Sequence, residues 1–213
     1  MTHVILNALH MTARTRPNEI PAGWHYPALS FLLFIFLSII ACRKTPEEQY
    51  RKFEKNELAK GIHYDSLIYG LTFGMSNDEF RDYCFGQHLE GQFNQGGRRN
   101  SAWVVSQLKH ELNYPAEINF YPEFKQDSIT GLNASIYYVN AHYQDHTFHL
   151  DSLLQDVLHL VEKWYGPGYY KIKSPVKYKD DVYVKVNGNR RITIYPDQSG
   201  QMVNLWYVNL RVK

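Results

Sequence analysis

From Leu29 to Ala41 the chain carries thirteen residues without a charge, and the run stops at Cys42, with Arg43 and Lys44 directly behind it. A helix of that length rises about 20 Å, short of the ~30 Å hydrocarbon layer of a bilayer. Its dimensions are those of a signal h-region rather than a membrane span, and Arg14 and Arg16 supply a thinly positive region ahead of it. The globular fold must therefore come from the residues behind Cys42.

Ile39-Ile40-Ala41-Cys42 resembles the lipobox of bacterial lipoproteins. The resemblance implies a signal peptide over residues 1–41, removal by a dedicated peptidase, and a diacylglyceryl group on the Cys42 thiol. Arg43 in place of an aspartate implies, by analogy with enteric sorting, the outer membrane of a two-membraned cell envelope. Each buried methylene contributes about 0.8 kcal/mol, so two or three acyl chains hold a water-soluble body on a membrane surface. The membrane, through this anchor, is the first expected partner. Lipidation of Cys42 leaves Cys84 without a second cysteine, so no internal disulfide is expected.

Lys and Arg number 23 against 21 Asp and Glu. That balance lacks the basic excess of a nucleic-acid binder, and none is expected as a partner. With 44% apolar residues, the part behind the anchor can bury a core. Residues 42–60 are dense in charge, and Glu47 with Arg51 and Glu48 with Lys52 stand at helical i,i+4 spacing. The expectation is a frayed, solvated spacer helix. Contact of Lys44, Arg51, Lys52 and Lys55 with anionic head groups is the functional alternative.

Behind this tether, residues 61–213 are read as one α+β domain. Met75-Ser76-Asn77-Asp78-Glu79-Phe80 begins a helix, with Ser76 and Glu79 as a capping box and Met75 and Phe80 as a hydrophobic staple. Ser101–Leu112 is ambiguous between strand and helix. Ala116, Ile118 and Phe120 alternate with polar residues, as do Leu132, Ala134, Ile136 and Tyr138, which is the period of half-buried strands. Tyr114-Pro115 and Ser128–Gly131 are read as turns. Leu153, Leu154, Val157, Leu158, Leu160, Val161 and Trp164 form one apolar helix face, started at Asp151 and stopped by Gly166-Pro167. Strands are then expected over 182–186, 192–194 and 202–212, joined at Asn187-Gly188-Asn189 and at Pro196–Gly200.

Residues 75–139 and 151–212 thus both read helix followed by three strands, a tandem pattern that gives a two-layer α+β arrangement. The element order and Gly74-Met75-Ser76 resemble BamE-like and beta-lactamase-inhibitor-protein-like lipoproteins. That resemblance implies a small binding module without catalytic residues or cofactor.

His142, His146 and His149 are the densest set of metal-ligand types, but no glutamate follows the first histidine, so the zinc-protease helix motif is absent. Cys84 and His88 stand four apart, yet Cys84 belongs to the apolar stripe of Phe80, which favours core over nucleophile. Gly96-Gly97-Arg98-Arg99 lacks the ending of a phosphate loop, and Lys171, Lys173, Lys177 and Lys179 with Asp180 and Asp181 read as a solvated charge run. The remaining signal is the aromatic surplus. Tyr121, Tyr137, Tyr183, Tyr195 and Tyr207 are expected on the outer phase of their strands, where a flat apolar body with a polar tip suits recognition of a protein or an envelope polymer. The sequence therefore leads to a lipid-anchored, non-catalytic binding module. An envelope enzyme or metal protein built on His142–His149 and a purely structural envelope lipoprotein are the alternatives.

Overall fold

The structure, a computed structural model, describes residues 45–96, 103–139, 150–174, 181–198 and 200–212. The first described helix, α1 (Pro46–Ala59), is capped by Thr45: its side chain accepts from the Glu48 amide at 3.2 Å, while Glu48 accepts from the Thr45 amide at 3.3 Å. Pro46 stands at the start of the helix, where it has no amide to leave unpaired and its fixed φ suits the first turn. Helix α2 (Asn77–Leu89) carries the capping box read from the sequence, with the Ser76 amide donating to Glu79 at 2.8 Å and the Glu79 amide donating to Ser76 at 3.2 Å. Phe80 is buried, and Met75 packs against the same core.

Eight strands follow in one sheet: β1 (Asn94–Gln95), β2 (Val104–Leu108), β3 (Ala116–Lys125), β4 (Ser128–Tyr138), and, beyond helix α3 (Leu150–Tyr165), β5 (Tyr170–Ile172), β6 (Val182–Asn187), β7 (Arg190–Pro196) and β8 (Val203–Asn209). Every neighbouring pair is antiparallel, and the order across the sheet is β1-β2-β3-β4-β8-β7-β6-β5. Two four-stranded meanders therefore meet last strand to last strand, with Ala134 opposite Leu205 near the middle of the seam. Each meander has four strands where the sequence suggested three, because β1 and β5 are too short to show an alternation.

Local chemistry sets the connections. The β3–β4 turn is Gln126-Asp127, both at positive φ, as a two-residue turn with mirror-image geometry requires. Ser128–Gly131, expected as a turn, is strand. Gly188 at φ +52 opens the β6–β7 turn, and a Cβ there would lie 2.4 Å from the Ile62 carbonyl oxygen. Gly166 ends α3 at φ +83, its amide donating to the Glu162 carbonyl at 2.8 Å. Asp151 lies within the first turn of α3 rather than ahead of it.

One face of the sheet carries Ile118, Phe120, Leu132, Ala134, Ile136, Ile192, Ile194, Leu205 and Tyr207, all buried. Helix α3 covers it with Leu153, Val157, Leu158, Leu160 and Val161. Phe93, just behind α2, reaches the same face edge-on to Phe120, with ring centroids 5.4 Å apart. Burying these side chains contributes roughly 1.5–3 kcal/mol each, which makes this the main core.

The opposite face is covered only in part. Tyr50 of α1 sits on Val182, Val184 and Val186 of β6, with Phe53, Tyr170, Ile172 and Tyr195 around it, as a second, smaller cluster. The expected solvated spacer is thus a docked helix, and over β5 and β6 the fold has a third layer. Glu57 accepts from the Gly188 amide at 3.2 Å and Glu47 from the Lys173 amide at 3.2 Å, tying both ends of α1 to the second meander. Arg51, Lys52 and Lys55 stay exposed on the outer side of the helix.

Candidate binding face

Register settles which side chains share the half of the second face that α1 leaves open. Glu117 pairs with Tyr137, Asn119 with Ser135 and Tyr121 with Asn133 across β3 and β4. Asn133 in turn pairs with Trp206, and Ser135 with Asn204, across β4 and β8. Thr193 pairs with Trp206 and Tyr195 with Asn204 across β7 and β8. Since antiparallel partners point to one side, these residues form a single surface opposite the main core. Asn119, Ser135 and Asn204 lie in one row across it, Asn133 and Trp206 face each other in the next, and the rings of Tyr137 and Tyr195 stand at its margins.

These groups hold one another. Glu123 Oε1 accepts from Asn133 Nδ2 at 2.7 Å and from Trp206 Nε1 at 3.2 Å. Ser135 donates to Asn204 Oδ1 at 2.7 Å, and the Tyr137 hydroxyl donates to Glu117 at 2.6 Å. Burial, with the Glu117 carboxylate beside it, pushes the Tyr137 hydroxyl up to about 12. Arg191 lies 5.8 Å from the centroid of the Trp206 ring and 3.6 Å from Glu54 of α1, so the helix and the open face share a guanidinium. Trp206 remains 38% exposed, a large aromatic surface presented to solvent from the middle of the sheet. Asn119 Oδ1 is buried and accepts no hydrogen bond.

The five tyrosines singled out from sequence divide. Tyr137 lies on the open side, and Tyr195 shares its phase but packs against the cluster under α1. Tyr121 shares their phase but is packed edge-on against Phe80 and Phe124, at 6.2 and 6.3 Å between centroids. Tyr183 lies opposite Ile194 and packs against the main core. The reason is that β6 lies between α1 and the main core, so its valines, which look like the only inward phase, fill the second cluster instead. Tyr207 is 0% exposed and belongs to the main core with Val203 and Leu205, so it cannot meet a partner. Sequence reasoning missed Trp206, Asn133 and Asn204. The signal was there: Asn204 and Trp206 alternate with the apolar Val203, Leu205 and Tyr207.

Cys84 is half-buried, and burial pushes its thiol up to about 11, opposite to the direction a nucleophile needs. His88 Nδ1 lies 2.9 Å from the Phe93 carbonyl oxygen, so that ring is occupied in holding the end of α2. Lys171 and Lys173 pair with Asp181 at 3.5 and 2.5 Å. His142, His146 and His149 lie outside the described residues, as do Cys42 and Gly97-Arg98-Arg99. Among the described residues, no three His, Cys, Asp or Glu side chains converge as a metal site would need.

No family model matches this chain, and no curated protein or solved structure matches it significantly.

Proposed function

We propose that this is a lipid-anchored cell-envelope protein, held by an acylated Cys42, whose open sheet face is a non-catalytic binding surface for a protein or an envelope polymer. The observation that carries the reading is the open half of the second face, where the exposed Trp206 ring and Tyr137 stand among Asn119, Asn133, Ser135 and Asn204 on an eight-stranded sheet. A surface that had only to be soluble would favour charges there. The two helix-plus-meander halves, 75–139 and 151–212, act as a tandem whose seam, β4 against β8, runs through the middle of that surface. In the anchor's favour stands Ile39-Ile40-Ala41-Cys42 behind the uncharged run from Leu29. The outer membrane is the proposed location.

Two measurements test this. Cys42→Ser is expected to leave an unprocessed precursor that takes up no labelled fatty acid; equal labelling of wild type and variant refutes the anchor. Crosslinking in living cells, compared between wild type and a variant with Tyr137 and Trp206 both changed to Ser, tests the face. Loss of a specific crosslinked species is expected, and an unchanged pattern counts against the binding role.

A further inference from the structure

Resting on the binding face proposed above, we infer that its ligand is an uncharged carbohydrate chain, a glycan bound through Trp206, Asn119, Asn133, Ser135 and Asn204. The anatomy of the face is the first argument. A protein interface has an apolar core of large anchors inside a polar rim. Here the exposed anchor is a single ring: Trp206, on the β4–β8 seam, faces Asn133 across the seam, and Asn204, Ser135 and Asn119 fill the adjoining row. A sugar ring offers what that arrangement needs, namely hydroxyls that both donate and accept toward amides, and a C–H face that lies flat on an aromatic ring.

Charge supplies the second argument. The carboxylates on this side are Glu117 and Glu123, while the guanidinium of Arg191 already faces Glu54. A polyanion, whether nucleic acid or a phosphorylated polymer, would meet net negative charge there. The carboxylates are also spoken for, one by Tyr137 and the other by Asn133 and Trp206, so neither calls for a cationic partner. A neutral polyol is the class that remains.

The third argument is geometric. Glu123 holds the Trp206 indole through Nε1 and Asn133 through Nδ2, and Arg191 stands by the same ring. The aromatic platform and the nearest amide are therefore fixed before any ligand arrives, which lowers the ordering penalty of binding. From β3 to β7 the face spans three strand spacings, about 14 Å, wide enough for an oligosaccharide rather than a single ring.

The experiment is a calorimetric titration of the full chain, solubilised in a zwitterionic detergent free of sugar, with cellohexaose, maltohexaose, chitohexaose and enzymatically released envelope glycan strands; polyphosphate serves as the anionic control. Saturable binding to at least one neutral chain and none to polyphosphate is expected. Trp206→Ala and Asn204→Ala should each weaken that binding at least tenfold, while melting temperature and circular dichroism stay unchanged. Tyr137→Phe, which keeps the ring, should weaken it only a few-fold. Absence of saturable binding to every neutral chain overturns the inference, as does binding that Trp206→Ala leaves intact. A photoreactive residue at Ser135 in living cells separates the two levels of the argument. A protein captured there, with no sugar bound in calorimetry, leaves the binding face standing and removes the glycan; silence in both assays removes both.

Discussion

Raising the pH is the perturbation to which this chain is most exposed, because so many of its tyrosines are buried. Burial pushes the hydroxyls of Tyr50 and Tyr69 from an ordinary 10 up to about 12, with the Glu54 carboxylate adding to the effect on Tyr50. Below pH 10 the folded and unfolded chains hold the same phenolic protons, and the full stability is present. Between pH 10 and 12 the unfolded chain releases protons that the folded chain keeps, so stability falls as pH rises. Each such tyrosine removes about 1.4 kcal/mol per pH unit, hence roughly 2.7 kcal/mol by pH 12. The two together slightly exceed about 5 kcal/mol, the lower end of the ~5–15 kcal/mol that holds a domain folded.

Tyr138, Tyr169 and Tyr207 are raised further, chiefly by burial, and add in the same direction. Lys185 opposes them. Burial lowers its ammonium below the usual lysine value, so above that lowered value the unfolded chain keeps a proton the folded one has lost, and this one group gains stability with pH. Several tyrosines outweigh a single lysine, and cooperative unfolding is expected near pH 11. Urea titrations followed by circular dichroism from about pH 8 upward, with tyrosinate absorbance read in parallel, check this. If all tyrosines ionise near pH 10 while the sheet signal persists to pH 12, the reasoning is refuted.

Two substitutions probe individual contacts. Asp156, 7% exposed on α3, accepts from the Tyr138 hydroxyl at 2.7 Å and from the Asn113 backbone and side chain at 3.0 and 2.6 Å. Asp156→Ala leaves those donors unpaired and is expected to cost about 3 kcal/mol, seen as a melting temperature roughly 6–12 °C lower. Tyr50→Ala empties the centre of the second cluster; a loss of about 2–4 kcal/mol is expected, with amide exchange accelerated selectively over α1, and uniform acceleration would show that the helix is not a separable layer.

Where one physical pattern decides a local structure, the sequence announces it. The Ser76–Glu79 capping box needs only four residues, and the α3 stripe from Leu153 to Trp164 needs only helical period, so both stand where the sequence put them. The docking of α1 was hidden because its inward line, Tyr50, Phe53, Glu54 and Glu57, is half acidic. Its glutamates find Arg191 and the Gly188 amide, partners more than a hundred residues away that no local window contains. The binding face was half legible. Alternation identifies two sides of β8, but which side meets solvent follows from the helix that covers the other.

The tyrosine surplus has a second use that composition alone conceals. Lys185 and Arg190 are only 3% and 4% exposed, on the core side of β6 and β7, and no carboxylate forms an ion pair with either among the described residues. Lys185 instead donates to the Pro167 and Gly168 carbonyls at 2.8 and 3.2 Å, just past the negative end of α3, with its Nζ 5.5 Å from the Tyr169 ring centroid. Arg190 donates to the Ser66 carbonyl at 2.6 Å and lies against Tyr165 and Tyr64, at 4.2 and 5.6 Å. A buried cation without compensation is strongly destabilising, and here backbone carbonyls and ring faces supply the compensation. Tyr64, Tyr165 and Tyr169, none of them among the tyrosines read as a recognition surface, thus act as an internal solvent for two charges. On the open side the ring presented most fully to solvent is Trp206, 38% exposed.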